Sequence, residues 1–182
     1  MKKTELKIRI LGDSLLRRRA LKIKEITPEH KDILNNMARI MYDSAGIGLA
    51  APQVGISEAM IVVDVGSGLY KFVNPRITKK EGAAVMEEGC LSVPGVCIKV
   101  KRARKILLEA KDENNNRILL EAQGLLARVI QHEIDHLYGK LIVDYADFFT
   151  KLRIKKQIKG LQALYNHEKL PKSEAKSCKL QL

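Results

Sequence analysis

Two histidines and a glutamate near the middle of the second half of the chain have the types and spacing that metal-assisted hydrolysis requires. His132 and His136 are four residues apart, so on a helix they lie one turn apart on the same face, where two imidazoles can hold one divalent metal ion. Glu133 follows the first histidine directly, and its carboxylate can take a proton from a water at that ion. The pattern His-Glu-x-x-His therefore predicts a metal site with a general base beside it.

A catalytic metal ion held by two histidines needs a third protein ligand. An extended motif would place a histidine after Gly139, but Ile142, which cannot bind a metal, occupies that position. Glu168 lies in a basic segment, so Cys90, in the upstream sequence Glu-Gly-Cys-Leu-Ser, is the better candidate. A thiolate with two imidazoles suits Zn²⁺ or Fe²⁺ and leaves one position open for water or substrate.

A further polar side chain, Gln53, stands in the apolar stretch 46–55. The Gly-x-Gly start of this stretch does not predict a dinucleotide loop, because it follows a predicted helix and because Leu49 and Pro52 spoil a phosphate cradle. Two glycines and two alanines instead allow the backbone to run close to a ligand. The amide of Gln53 could donate to an oxygen that gains charge in a reaction, or it could satisfy a buried backbone group, and both interpretations stay open.

The elements that must position these side chains follow from periodicity and capping. Apolar residues recur at helical spacing around the motif and predict that its helix has one face in the core: Leu126, Ile130, Ile134 and Leu137. Thr27 as cap and Pro28 at the first helical position predict a helix that must end before Gly46. A C-terminal helix is predicted from Ala146 to Leu164.

Strands are predicted from short apolar runs bounded by turn residues. Their ranges are 6–10, 59–65, 69–73, 96–102, 105–111, 118–120 and 141–143, with a break at Asn74-Pro75 and a polar hairpin turn over 112–116. The predicted fold class is α+β, with antiparallel or mixed strands wrapped around a central metal-binding helix and flanking N- and C-terminal helices. We expect one catalytic domain over residues 1–168 and a basic, flexible tail over 169–182.

Composition bounds the class of protein. The chain has 182 residues, of which 46% are hydrophobic, as in a globular domain, and no apolar run is long enough for a membrane span. The N-terminal residues lack the features of a secretory signal, and three cysteines are too few for a disulfide framework, so we expect a cytoplasmic protein.

Residues 151–182 carry nine Lys and Arg against two Glu, over half of the net charge of +12. This segment is either a solvated basic surface or a contact with a polyanion such as ribosomal RNA.

Three motifs together resemble the peptide deformylase family: Gly46-x-Gly48-Leu49-Ala50-Ala51-x-Gln53, Glu88-Gly89-Cys90-Leu91-Ser92 and Gln131-His132-Glu133-x-Asp135-His136. The resemblance covers residues 5–165. It implies an α+β fold and a reaction that removes the formyl group from the N-terminal formylmethionine of new polypeptides. It also implies that Cys90, His132 and His136 bind the metal, with Fe²⁺ the usual native ion and Zn²⁺ or Ni²⁺ able to replace it.

The same resemblance suggests roles for the surrounding residues. Glu133 would accept the proton of the attacking water, and the amide of Gln53 and the backbone N–H of Leu91 would stabilise the oxygen that becomes anionic. Arg128 is expected at the rim of the methionine pocket with its charge in water. Glu88 borders the site or pairs with a basic residue such as Arg102. The predicted substrate-binding residues are Ile47, Gly48, Met86, Glu88, Gly89, Leu125, Arg128 and Val129.

Two alternatives share parts of these patterns. A metallopeptidase of another family would use the same His-Glu-x-x-His pattern with a different third ligand. A basic RNA- or ribosome-binding module would hold a structural metal, but such a site is closed by four protein ligands and only three are apparent. The expected partner is therefore a formylmethionyl peptide. The ribosome is a second candidate through the basic C-terminal segment, with a solvated surface as the alternative. Neither a membrane nor sequence-specific nucleic acid is expected.

Overall fold

The computed structural model describes residues 6–166, which contain three α-helices and seven β-strands. In chain order these elements are α1 (Pro28–Asp43), β1 (Gly48–Ala50), β2 (Met60–Val63), β3 (Tyr70–Glu81), β4 (Ala84–Glu88), β5 (Ile98–Arg102), β6 (Lys105–Lys111), β7 (Arg117–Gln123), α2 (Gly124–Leu137) and α3 (Phe148–Asn166). The predicted tail, 169–182, lies outside the described residues, and none of the described helices has the length and apolar character needed to cross a membrane.

The strands form two antiparallel sheets in this part of the chain. One has five strands in the order β1-β2-β3-β6-β7, and the other is the hairpin β4-β5. The hairpin between β6 and β7 pairs Lys111 with Arg117, and the Asp112 carboxylate accepts backbone N–H groups of Asn114 and Asn116 in its turn. The predicted α+β fold and the predicted polar turn are confirmed.

Helix α1 begins where the cap residues predict. The backbone N–H of Thr27 donates to Nδ1 of His30 at 2.9 Å, and Pro28 occupies the first helical position, where its missing N–H costs nothing. The helix ends at Asp43, before Gly46. Its buried stripe packs against β1 and β2: Leu34, Met37, Ala38 and Met41.

Helix α2 is the central element of the fold. Ten of its fourteen residues are buried, which distinguishes it from an ordinary surface helix with one buried stripe. Ala127, Ile130 and Ile134 pack in one cluster with Phe72 of β3 and Leu108 of β6. The helix is therefore held from the sheet side, as predicted for the helix that carries the histidines.

Two short segments differ from the prediction of strands. Residues 141–143 are not a strand, because a 3₁₀-helical turn covers Ile142–Tyr145 and the Asp144 carboxylate accepts the backbone N–H of Leu141 at 2.9 Å. This local hydrogen bond competes with strand formation. Residues 6–10 are not in a strand either, although Arg9 donates its backbone N–H to Gln53 at 2.6 Å.

Asn74 and Pro75 do not end a strand, contrary to the prediction. Strand β3 continues through them, but its pairing with β6 shifts register between Val73 and Arg76. Asn74 has φ +52°, and its side chain exchanges two hydrogen bonds with the backbone of Ile23. A bulge held by these bonds accommodates the proline, which lacks an N–H for the ladder.

Candidate metal centre

Three donor atoms from distant parts of the chain converge inside the protein. Cys90 lies in a turn just after β4, and its Sγ is 3.3 Å from Nε2 of His136. Nε2 of His136 is in turn 3.2 Å from Nε2 of His132, one turn earlier on α2. All three side chains are buried, and the donor atoms lie within 4.8 Å of one another. Local sequence explains the histidine pair, whereas the thiol is brought there by the tertiary fold.

The donor set fits one divalent ion. With metal–sulfur bonds of about 2.3 Å and metal–nitrogen bonds of about 2.0–2.1 Å, tetrahedral angles separate such donors by roughly 3.3–3.6 Å. The Sγ–Nε2 distance of 3.3 Å lies at the short end of that range, and the Nε2–Nε2 distance of 3.2 Å lies just below it. Burial lowers the pKa of both His132 and His136, so both imidazoles are kept neutral, the form that binds metal.

The thiol of Cys90 also needs a cation. Burial raises its pKa, and the nearby carboxylate of Glu133 raises it further. A divalent ion supplies the positive charge that would convert such a thiol to the thiolate. The chemistry of the three donors is therefore consistent with a metal ligand set. That these residues hold the ion in the active protein stays a prediction.

Glu133 is buried without a hydrogen-bond partner. Neither of its carboxylate oxygens has one among residues 6–166, and burial raises its pKa well above the usual value for glutamate. An unpaired buried carboxylate lowers the stability of the fold, and such a residue is typical of a functional site. A methyl group at Gly48 of β1 would overlap Oε1 of Glu133 and come within 2.7 Å of Val129. Glycine at this position therefore allows β1 to pass directly beside the carboxylate.

Gln53 is fully buried beside the thiol. Its Oε1 accepts the backbone N–H of Ala50 at 2.7 Å, so its Nε2 is directed towards Ser92 Oγ at 3.2 Å and Cys90 Sγ at 3.7 Å. The structural interpretation of this residue is observed, whereas its donation to a reacting oxygen stays a prediction. The oxygen satisfies a buried backbone group, and the amide nitrogen is available to the metal centre.

Behind the centre, Glu88 holds one of the histidines. Its Oε2 lies 3.1 Å from Nδ1 of His132, and both of its oxygens accept from the guanidinium of Arg102, at 2.6 and 2.9 Å. Burial alone would raise the pKa of Glu88, but the bond with His132 and the ion pair with Arg102 outweigh it and bring the pKa to about 2. Glu88 therefore stays ionised and orients the imidazole, and the predicted pairing with Arg102 is present.

Arg128 is not solvated, so the prediction that its charge lies in water is wrong. The residue is only 2% exposed. Its guanidinium donates to Oε1 of Glu88, to the carbonyl of Val100 at 3.1 Å and to the carbonyl of Ala84 at 2.8 Å. The charge is thus neutralised by Glu88, and the side chain fastens the β4-β5 hairpin to α2.

The other predicted pocket residues surround these groups to different degrees. Val129 is fully buried, Ile47 is half-buried in the same core cluster, and Gly89 is buried beside the cysteine. Met86 on β4 is 45% exposed and Leu125 at the start of α2 is 36% exposed. Exposed apolar side chains of this kind are available to a ligand, and their role in the pocket stays a prediction.

Two polar residues near the centre had no role in the prediction. Ser92 is fully buried and accepts the Gln53 amide. Asp135 accepts from Arg102 at 2.8 Å and from the hydroxyl of Tyr145 at 2.7 Å. Asp135 was visible only as part of the histidine motif, and its contact with Arg102, 33 positions earlier, carries no local sequence signal.

Comparison with known proteins agrees with this geometry. A family model described as polypeptide deformylase matches residues 5–151. A peptide deformylase of Carboxydothermus hydrogenoformans is 50% identical over 137 residues, which cover 75% of this chain and 90% of the relative. One of Desulfitobacterium hafniense is 48% identical over 136 residues, covering 75% of this chain and 91% of the relative.

Solved structures show the same similarity. A plant peptide deformylase superposes with a TM-score of 0.86 and 32% identity, covering 97% of this chain and 99% of its own. The enzyme of Synechococcus elongatus, solved in complex with actinonin, gives a TM-score of 0.80 and 39% identity over 88% of this chain and 91% of its own. The chain therefore belongs to the peptide deformylase family and is an enzyme that removes the N-formyl group from newly made polypeptides.

Proposed function

We propose that Cys90, His132 and His136 hold the metal ion of this deformylase and that Glu133 is its general base. The observation that carries this proposal is the convergence of three donor atoms beside a buried carboxylate with no partner among residues 6–166. A bound divalent ion supplies Lewis acidity and makes a water acidic enough to ionise near neutral pH. Proton transfer, stabilisation of the developing charge and substrate binding are carried out by residues of the chain.

Glu133 moves the proton. Its raised pKa means that it is a stronger base than an exposed glutamate, so it can accept the proton of the attacking water. It then passes that proton to the departing amine as formate is released. Because its two oxygens have no other hydrogen-bond partner among the described residues, neither is withdrawn from this transfer.

Gln53 and Leu91 stabilise the negative charge that develops on the formyl oxygen. The amide nitrogen of Gln53 is held beside the thiol by the bond between its own oxygen and Ala50. The backbone N–H of Leu91 follows the cysteine directly, in the buried turn after β4. Donors fixed in this way need no rearrangement during the reaction, and one such donor is typically worth about 3–4 kcal/mol.

Substrate selection is proposed to depend on the side chains that line the pocket around this centre. Apolar Ile47, Met86, Leu125 and Val129 would accept the methionine side chain, with Glu88 and Gly89 at the edge of the pocket. Gly48 would pair its backbone with an extended peptide. Arg128 acts indirectly in this proposal, because its guanidinium joins Glu88 to the carbonyls of β4 and β5.

The native ion is proposed to be Fe²⁺, with Zn²⁺ or Ni²⁺ as functional replacements. One thiolate and two imidazoles accommodate each of these first-row ions.

We place the enzyme in the cytoplasm, where polypeptides are made. The proposed catalytic unit is 1–168, and the basic C-terminal segment, residues 151–182, is proposed to contact the ribosome, for which its surplus of Lys and Arg is suited.

The decisive experiment measures metal and formate together. The protein is purified without oxygen, its metal content is determined, and formate release is followed with a formyl-methionyl peptide. Cys90→Ser is compared with wild type, because serine keeps the size but is a much poorer ligand for a soft or borderline metal. Loss of both metal and formate release supports the ligand set, whereas unchanged metal content in Cys90→Ser contradicts it.

A further inference from the structure

A second open groove lies where the C-terminal end of α2 meets strands β3, β6 and β7. It has a volume of about 780 Å³, and none of its lining residues belongs to the metal centre. We call it the basic groove and define it by Arg19, Lys22, Arg76, Lys111, Arg117 and Tyr138. Its volume falls within the range of specific ligand sites.

The groove carries unneutralised positive charge. Five cationic side chains line it against one carboxylate, and that carboxylate, Glu109, is paired with Arg76 at 2.6 Å. The remaining four have no acidic partner among residues 6–166: Arg19, Lys22, Lys111 and Arg117. Of these, Lys111 donates to the amide oxygen of Asn115 at 2.7 Å. Ionised side chains gathered in one concave surface raise the local concentration of anions.

Nearby backbone does not offset this charge. The last carbonyls of α2 would add negative partial charge, but that of Leu137 accepts from Ala20 at 2.8 Å and that of His136 from Gly139 at 3.1 Å. The floor of the groove adds aromatic and apolar surface. Tyr138 is 50% exposed with the guanidinium of Arg19 4.9 Å from its ring centroid, and Leu119 is 68% exposed.

We propose that the basic groove binds the backbone of single-stranded nucleic acid without reading its sequence. Four cations without an acidic partner among the described residues match a chain of phosphates, and the half-exposed Tyr138 ring, which has the Arg19 guanidinium over one face, offers aromatic surface on which a base can stack. An acidic peptide would use the cations but would leave the aromatic surface without a planar partner. The net charge of +12 draws a polyanion towards the protein from a distance. This inference concerns a separate surface and does not depend on the roles proposed at the metal centre.

The test uses the full chain and a fluorescent oligouridylate of about 12 nucleotides, a length suited to one binding groove. Four phosphate contacts to a single strand predict a slope of roughly −2.8 for log affinity against log salt, so affinity falls roughly 50-fold between about 50 and about 200 mM salt. In the double variant Arg19→Glu with Arg117→Glu, two contacts remain. The slope should halve to roughly −1.4, a roughly sevenfold fall over the same salt range.

A matched variant reverses two exposed lysines of α3, Lys155→Glu with Lys159→Glu, and so changes the net charge equally at another basic surface. It should keep the wild-type salt slope. Tyr138→Leu should weaken binding roughly tenfold and Tyr138→Phe should not, because only the first removes the ring. Formate release and the unfolding temperature should be unchanged in the groove variants, which separates this result from any failure at the metal centre.

Several results would overturn the proposal. They are the absence of oligonucleotide binding to wild type at low salt, loss of binding in the α3 variant with retention in the groove variant, and equal binding of Tyr138→Leu and wild type. Equally tight binding of an acidic peptide of the same charge would assign the groove to proteins instead.

Discussion

Nδ1 of His132 lies 3.1 Å from Oε2 of Glu88, so the imidazole nitrogen that faces the other donors is oriented by a fully buried carboxylate. The same carboxylate forms ion pairs with the guanidinium groups of Arg102 and Arg128, and Asp135 adds a second negative charge at Arg102. One side chain thus serves both the metal centre and the packing of β4 and β5 against α2. Hydrogen bonds behind a metal-binding histidine fix its orientation and raise its basicity.

Glu88→Gln is expected to weaken both functions. Metal affinity should fall roughly 10- to 100-fold, as for loss of other histidine partners. Stability should fall by about 3–5 kcal/mol, because the buried guanidinium of Arg128 loses its acidic partner and that of Arg102 keeps only Asp135. Competition with a chelator measures the first quantity and urea unfolding the second. Glu109→Gln, which removes an exposed ion pair with Arg76, serves as control and should cost less than about 1 kcal/mol. Equal effects of the two substitutions would contradict the assigned role.

The stability of the metal-free protein should depend on the ionisation of Glu88. Its pKa is about 2 in the folded protein against 4.5 for the free group, so its contribution is fully present above about pH 4.5 and is lost as the pH falls through about 2. The contribution is on the order of 3 kcal/mol. The stability difference between wild type and Glu88→Gln, measured by urea unfolding, should therefore shrink between pH 5 and pH 2. A constant difference over that range would show that Glu88 is not held ionised.

Glu133→Gln should separate activity from stability. Turnover should fall by roughly 10²–10⁴, the usual contribution of a positioned general base. The metal-free protein should become more stable, because a neutral amide of the same shape is less costly to bury than a carboxylate without a partner. Formate release and urea unfolding measure the two effects. Near-normal turnover would contradict the proton-transfer role, and a loss of stability would reveal a structural contact of this carboxylate.

Gly48→Ala should abolish formate release, since its methyl group would displace either Glu133 or Val129. Gly160→Ala on α3 is the matched control, because a methyl group there meets nothing within 4 Å among the described residues. Alanine in that helix should stabilise it by about 0.5–1 kcal/mol and leave turnover unchanged. Steady-state kinetics and thermal unfolding of the two variants test the comparison. Full activity of Gly48→Ala would show that β1 does not approach Glu133 this closely.

Features set by local chemistry could be predicted from the sequence. Strand β6 has the predicted bounds, Lys105–Lys111, and α1 starts after Thr27 as its cap and proline require. The histidine pair on α2 follows from spacing alone. These predictions succeed because neighbouring residues determine the hydrogen bonds and the exposed face.

Features set by distant contacts could not be predicted in the same way. The local sequence around Arg128 indicates only a cation on a helix near the site. Its burial depends on Glu88 and on two carbonyls of β4 and β5, all more than 25 positions away in the sequence. The Asn74 bulge likewise depends on Ile23, 51 positions earlier. The turn over Ile142–Tyr145 was missed for a local reason, since the Asp144 side-chain bond overrides the apolar pattern.

Because the thiol and the second imidazole are far apart in the sequence, the stability of the enzyme should depend on the supply of metal ions. Cys90 and His136 are 46 positions apart, so an unfolded chain does not hold their donor atoms near each other. An ion that binds only the folded form at a hundredfold excess over its Kd adds about 2.7 kcal/mol of stability. We expect metal starvation to expose the polypeptide to proteases as well as to stop turnover, so cleavage rates with and without a chelator should differ. The availability of the metal ion would then determine how quickly the protein is degraded.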